Sequence, residues 1–365
     1  MSLEVIQYGN RERITVQRQD LSRSLAARIP YAVSKSVFDL ANLARGHGWD
    51  ATKARIEDPS FTPNGKIPLL VTALRNHILA GEKLCRFFRL ASTDMVNLRK
   101  NINSIQQKSS LLGSFYPCLA PETQIKGLPL STPEIISIEH MPDGVALVYA
   151  SIRALKIKEE LPTASINAKM GPSWNAYDEL YGIRNVRQEA FSVVWVPNHG
   201  DIVEIRSDHL KGSNIESTRA EIDAVIYSLK QDTSINVSGF SINVFRTIDQ
   251  FYCNVSEGKV VELAFGTTTR SLKHEKMRGH NDCLRSELFH VGGKSNLNQP
   301  IKPYRISISY NVEVSTGIWT SPELSIHSNS HMSDQISPSH YDILISKNMG
   351  VEDYEYVRDR IFLYI

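Results

Sequence analysis

The chain has 365 residues, with 41 Lys/Arg against 39 Asp/Glu and a formal net charge of +2, and its 41% hydrophobic and 22% charged content excludes global disorder. Four cysteines, none spaced Cys-x-x-Cys, exclude a disulfide scaffold and a zinc ribbon. No apolar run approaches the roughly 18 residues of a bilayer span, and the opening Met1-Ser-Leu-Glu-Val-Ile lacks a basic segment followed by an apolar one, so a soluble cytoplasmic protein without membrane contact is expected.

In chain order, residues 3–7 and 12–18 read as short strands joined at Gly9-Asn10. Asp20 is the expected N-cap of a helix from Leu21 to Ile29, which Pro30 ends. Val33, Val37, Leu40, Ala41 and Ala44 recur at helical spacing up to Arg45, before Gly46 and Gly48. Ile67, Leu70, Leu74 and Ile78 form a further helical stripe. After Gly81, Leu84, Phe87, Phe88, Ala91 and Met95 give another at i, i+3, i+4, i+7 and i+11, so helix is expected over 67–108, with Ser92 or Thr93 as an alternative new cap. Ser109 to Pro133 is dense in Ser, Gly and Pro, which predicts a connection between domains near residue 125.

Beyond it the pattern turns β-rich. Residues 134–139 and 145–152 flank a Pro142-Asp143-Gly144 turn, and 190–196 and 201–206 flank Pro197 to Gly200. Ser213 with Glu216, and Thr218 with Glu221, have capping-box spacing ahead of a helix carrying Ile222, Val225, Ile226 and Leu229 on one face. Strands are expected at 241–245, 250–255, 259–265, 304–314 and 341–346, and a short helix running into a strand over 352–365. The expected fold is α+β: a basic, mainly helical domain over 1–124, then a β-rich domain over 125–365 with a largely antiparallel sheet and a few helices.

Charge is distributed unevenly. Residues 1–110 hold 17 Lys/Arg and 9 Asp/Glu, a balance of +8, whereas the rest hold 24 and 30, a balance of −6. A basic surface releases counterions from phosphates on binding, so nucleic acid is the first partner class and an acidic protein the second. The competing reading is that the two halves neutralise each other. Residues 21–45 have the general shape of a helix-turn-helix, with Ser34 and Ser36 placed to meet phosphates and Lys35 a base edge or phosphate. A plain helical pair is favoured instead, because the turn is about two residues too long and contains Pro30. Arg86, Arg89 and Lys100 fall opposite the second apolar stripe and, with Lys83 and Arg99, form a candidate phosphate-binding face; the competing reading is a solvated face.

Catalytic patterns are weaker. His209-Leu-Lys211 and His274-Glu-Lys276 are similar to the His-x-Lys units of phospholipase D and nuclease chemistry, but two such pairs are within chance and the following acids are misplaced. His274, His280, Asp282 and Cys283, and the pair His327 and His331, have metal-ligand residue types in segments of poor helix propensity. Glu257-Gly-Lys259 with Asp249 has the composition of a magnesium nuclease site, but Glu257-Gly258 reads as a solvent-facing hairpin turn. Cys253 reads as a packed thiol in an apolar strand. Gly-x-Gly-x-x-Gly, Gly-x-x-x-x-Gly-Lys-Ser/Thr and Gly-x-Ser-x-Gly are absent from the sequence, so no cofactor or metal is expected. The expectation is a non-catalytic nucleic-acid-binding or nucleoprotein-complex subunit, whose β-rich domain contacts other proteins. The alternatives are a phosphodiesterase or metal-dependent hydrolase with its site in the C-terminal domain, and a structural subunit without nucleic-acid contact.

Overall fold

The computed structural model describes residues 3–8, 11–107, 109–161, 178–267, 269, 271–279 and 282–365. An antiparallel hairpin of β1 (Leu3–Tyr8) and β2 (Arg11–Gln17) opens the chain; its expected Gly9-Asn10 turn lies outside the described residues. Four helices follow: α1 (Arg18–Arg28), α2 (Tyr31–Leu40), α3 (Gly48–Glu57) and α4 (Ile67–Ala80). Asp20 is not the cap of α1. It sits in the first turn and pairs with Arg23, where its negative charge is stabilised by the positive end of the helix dipole. Pro30 is the N-cap of α2, so the chain breaks direction between Arg28 and Tyr31. All four residues of the α4 stripe are buried, as helical spacing requires.

The helix expected to continue past Gly81 is replaced by β3 (Lys83–Arg89), and α5 (Ser92–Ile102) starts afresh at Ser92. The reason is burial on two sides. Phe87 joins the core on one sheet face and Phe88 the core on the other, and a strand apolar on both faces carries no period-2 signal. The breaker-rich segment holds only α6 (Leu111–Phe115) and α7 (Glu122–Ile125).

Strands β4 (Glu134–Met141), β5 (Gly144–Glu160), β6 (Tyr181–Pro197) and β7 (Ile202–Asp208) then form a meander. Helix α8 (Ile215–Thr233) is capped by Asn214, whose side chain accepts from the Ser217 amide, rather than by Ser213 or Thr218. The strand expected at 250–255 is helix α9 (Thr247–Cys253), and 241–245 contributes only a bridge from Ser241 to Phe88. The rest comprises β8 (Lys259–Gly266), β9 (Leu272–Lys276), α10 (Leu288–Ser295), β10 (Lys302–Ser309), β11 (Val312–Ser315), β12 (Ile318–Thr320), β13 (Glu323–His327), α11 (Ser330–Ser333), β14 (Asp342–Ser346) and α12 (Val351–Phe362).

The fold is α+β around one ten-stranded antiparallel sheet, in the order β4-β5-β6-β7-β3-β14-β13-β10-β8-β9. Strand β3 lies between β7 and β14, so strand pairing joins residues on both sides of position 125. One sheet face packs against α1, α2, α4, α9 and α12 through Leu25, Val37, Leu74, Phe251 and Val357. The other carries α5 and α8, which pack Met95, Leu98, Ile222, Val225 and Leu229 against Leu84, Phe88, Val194 and Ile205.

Candidate nucleic-acid interface

Side chains alternate across β3, so Lys83 and Arg86 point to opposite sheet faces. Lys83 is fully buried, with Nζ 2.5 Å from Asp208 Oδ1. Arg86 donates to Asp342 at 2.8 Å and to Asp223 at 2.9 Å, and Arg89 pairs with Asp201 at 3.5 Å. Arg99, on α5, donates to the Pro197 and Gly200 carbonyls at 2.9 and 2.7 Å. Lys100 is exposed on the same helix. The single helical face expected for these five residues is not formed. Ser34 is also unavailable to a phosphate: it is buried, its hydroxyl donates to the Tyr31 carbonyl and it accepts from Arg45. Lys35 is exposed on α2. Acids from beyond residue 125 thus neutralise Lys83, Arg86 and Arg89, and Glu139 likewise binds Arg75.

Asp208 is the hub beneath a cleft of about 630 Å³ lined by Arg28, Tyr31, Trp49, His77, Asp208 and Lys211, among others. The α1–α2 corner places Arg28 and Tyr31, α3 supplies Trp49, α4 supplies His77, and the chain leaving β7 supplies His209 and Lys211. Arg28 grips Asp208 bidentately, both bonds at 2.6 Å, and the Phe191 amide donates to the same carboxylate at 2.7 Å. Burial alone would raise the Asp208 pKa, but the Arg28 and Lys83 charges outweigh it and hold the carboxyl well below its usual range. Burial pulls Lys83 down to about 8, with Asp208 opposing the shift and Arg28 adding to it. His77 lies between two carbonyls, Nδ1 3.0 Å from Met349 and Nε2 3.0 Å from Arg28. Burial, with the Arg28 charge, lowers it to about 4. A neutral ring donates to only one of those carbonyls.

The wall is aromatic. Tyr31 and Trp49 meet edge to face at 6.1 Å, and the Arg45 guanidinium covers the Tyr31 ring at 4.4 Å. The Tyr31 hydroxyl donates to the Gly46 carbonyl and the Trp49 indole to that of Ile29, so both rings are fixed. Lys211 is exposed at the mouth. His209 is half-buried beside Thr218 at 3.3 Å, and burial lowers its pKa. The Nε–H of Arg28 is buried and has no hydrogen-bond partner among the described residues.

The catalytic patterns do not assemble. His209 follows β7 and His274 lies on β9, six strand spacings away, about 29 Å. His274 instead binds Glu262 at 3.0 Å, and His327 approaches Ser307 at 3.2 Å. His331 sits apart on α11. His280 lies outside the described residues, and among those described no group of three His, Cys, Asp or Glu is arranged to hold a metal. Two expectations are overturned. Cys253 is exposed at the end of α9, because the helix turns it away from the core that Phe251 enters. Glu257 is fully buried, and its carboxylate accepts from Arg360, Tyr364 and Tyr310. Comparison with protein-family models, curated proteins and solved structures gave no match to this chain.

Proposed function

We propose that the protein binds nucleic acid, and that its contact is the Arg28–Lys211 cleft, acting as a binding site without chemistry of its own. Single-stranded nucleic acid is held by cations tracking phosphates together with aromatic surfaces that accept bases of any sequence. The cleft offers both: Lys211 for a phosphate oxygen, Tyr31 and Trp49 for a base. The observation that carries the reading is an exposed cation, Lys211, at the mouth of a cleft walled by two fixed aromatic rings. The exposed members of the basic set, Lys35, Arg89 and Lys100, lie outside the cleft. Hydrogen exchange of the full chain with and without a single-stranded oligonucleotide tests this. Slowed exchange at residues 26–31 and 209–213 is expected; protection confined to α5, or none anywhere, contradicts it.

A further inference from the structure

A second group of polar side chains, remote from the cleft in the sheet order, forms a continuous chain of hydrogen bonds. Helix α10 presents His290 and Lys294 four residues apart, hence on one face. The Tyr252 hydroxyl, on α9, lies 2.8 Å from His290 Nε2, and Lys294 Nζ donates to the same oxygen at 3.0 Å. On the other side of the ring, His290 Nδ1 is 2.5 Å from Glu275 Oε2 on β9. With a neutral ring carrying its proton on Nδ1, every donor and acceptor finds a partner. Nδ1–H donates to the carboxylate, the Nε2 lone pair accepts the tyrosine proton, and the ammonium faces the oxygen lone pair. A carboxylate orients a base, the base takes a proton from a hydroxyl, and a cation awaits the charge that develops there.

The surroundings hold these groups in place. Arg285 donates to the carbonyls of Phe251, Tyr252, Glu257 and Gly258, which fixes the end of α9. The His290 ring packs edge-on against Tyr252 and Phe265 at 5.9 and 5.7 Å. The Glu287 side chain accepts from the His290 amide and pins the start of α10. His290 and Tyr252 are buried, whereas Lys294 is exposed, so the chain of hydrogen bonds runs from the interior to the surface.

We propose that Tyr252 is the nucleophile of a phosphodiester-cleaving site, with His290 as base and acid, Glu275 as its positioning residue, and Lys294 holding the anionic oxygens. Tyr252 Oη attacks phosphorus; the Tyr–O–P bond forms as the P–O bond to the leaving alcohol breaks. The tyrosine proton passes to His290, and the departing oxygen, in line on the far side of phosphorus, takes its proton from solvent. Water then attacks the same phosphorus from that side, losing a proton to solvent, and Tyr252 leaves, taking its proton back from His290. The products are an alcohol and a phosphate monoester, with water as the only co-reactant. These four residues share none of the His-x-Lys pairs.

The test uses the full chain and bis(4-nitrophenyl) phosphate, a probe too small to depend on the Arg28 cleft. Nitrophenolate release is expected, together with an aryl-phosphate adduct on Tyr252 in acid-quenched wild-type protein read by peptide mass. Tyr252→Phe keeps the ring and should cut the rate by at least about 100-fold, and Glu275→Gln should slow adduct formation. Adduct mapping needs only the wild type, so it decides the matter even if a variant fails to fold. An adduct on another residue, no adduct and no release, or a Tyr252→Phe rate equal to wild type would each overturn the assignment without touching the cleft.

Discussion

Replacing Asp208 by Asn tests whether the Lys83 and Arg28 charges belong to the interior. The carboxylate accepts two bonds from Arg28, one from Lys83 and one from the Phe191 amide, and it is fully buried. Asparagine keeps the shape and removes the negative charge, which leaves two buried cations facing each other. Breaking a buried pair by removing one partner costs roughly 3–5 kcal/mol. The lower half of that range is expected, because Lys83, already at about 8, can shed its proton whereas Arg28 cannot. Adding Lys83→Met to Asp208→Asn should therefore recover part of the loss. Urea denaturation followed by tryptophan fluorescence reads the difference. An Asp208→Asn protein within about 1 kcal/mol of wild type would refute the reasoning, since surface pairs are worth only that much.

Three further outcomes are expected. Burial raises Glu189 from 4.5 to about 7, against the Ala120 amide bond and the Arg28 charge, so the folded state holds a proton that the unfolded chain has released between those values. Stability is then lost as pH rises through 7, by up to about 3 kcal/mol, and Glu189→Gln should abolish that loss between pH 5 and pH 8.5 in urea midpoints. Phe87→Ala and Phe88→Ala should each cost roughly 3–5 kcal/mol in the same assay, because each empties a different core; a mild effect of either would remove it from the sheet interior. Glu257→Gln should cost about 2 kcal/mol through its bonds to Arg360 and Tyr364, whereas a solvent-facing turn residue would move stability by less than about 0.5 kcal/mol.

What the sequence revealed depended on whether a segment has one wet side or is marked by a flanking turn. Helices α4 and α8 follow the apolar stripes read from their residues, since each keeps a polar face, whereas β4, β5, β6 and β7 were legible from β-forming runs on either side of the Pro142–Gly144 and Pro197–Gly200 turns, although β7 is buried on both faces. Strand β3 lost its signal because both of its faces are buried, and Leu84, Phe87 and Phe88 happen also to fit a helix. In α9, the β-formers Phe251 and Tyr252 suggested a strand, although Ile248, Phe251 and Tyr252 at i, i+3 and i+4 were the available helical signal. The charge asymmetry was legible, but its targets were not. Asp208 lies 125 positions from Lys83 and 180 from Arg28, and no local spacing announces such pairs. The cleft escaped for the same reason, since it joins the α1–α2 corner to the chain after β7. Lys211 was noticed only for its neighbour His209.

The cleft is tested most directly by the salt dependence of affinity for a fluorescently labelled single-stranded oligonucleotide, measured by anisotropy on wild type, Lys211→Glu and Arg89→Glu. Each phosphate neutralised on a single strand contributes roughly −0.7 to the slope of log affinity against log salt, so Lys211 gives about −0.7, Arg28 being already paired with Asp208. Lys211→Glu should weaken binding and flatten the slope by about 0.7, while Arg89→Glu, whose partner is Asp201, should leave both unchanged. Absence of binding, or a slope that responds to Arg89→Glu and not to Lys211→Glu, would contradict the account.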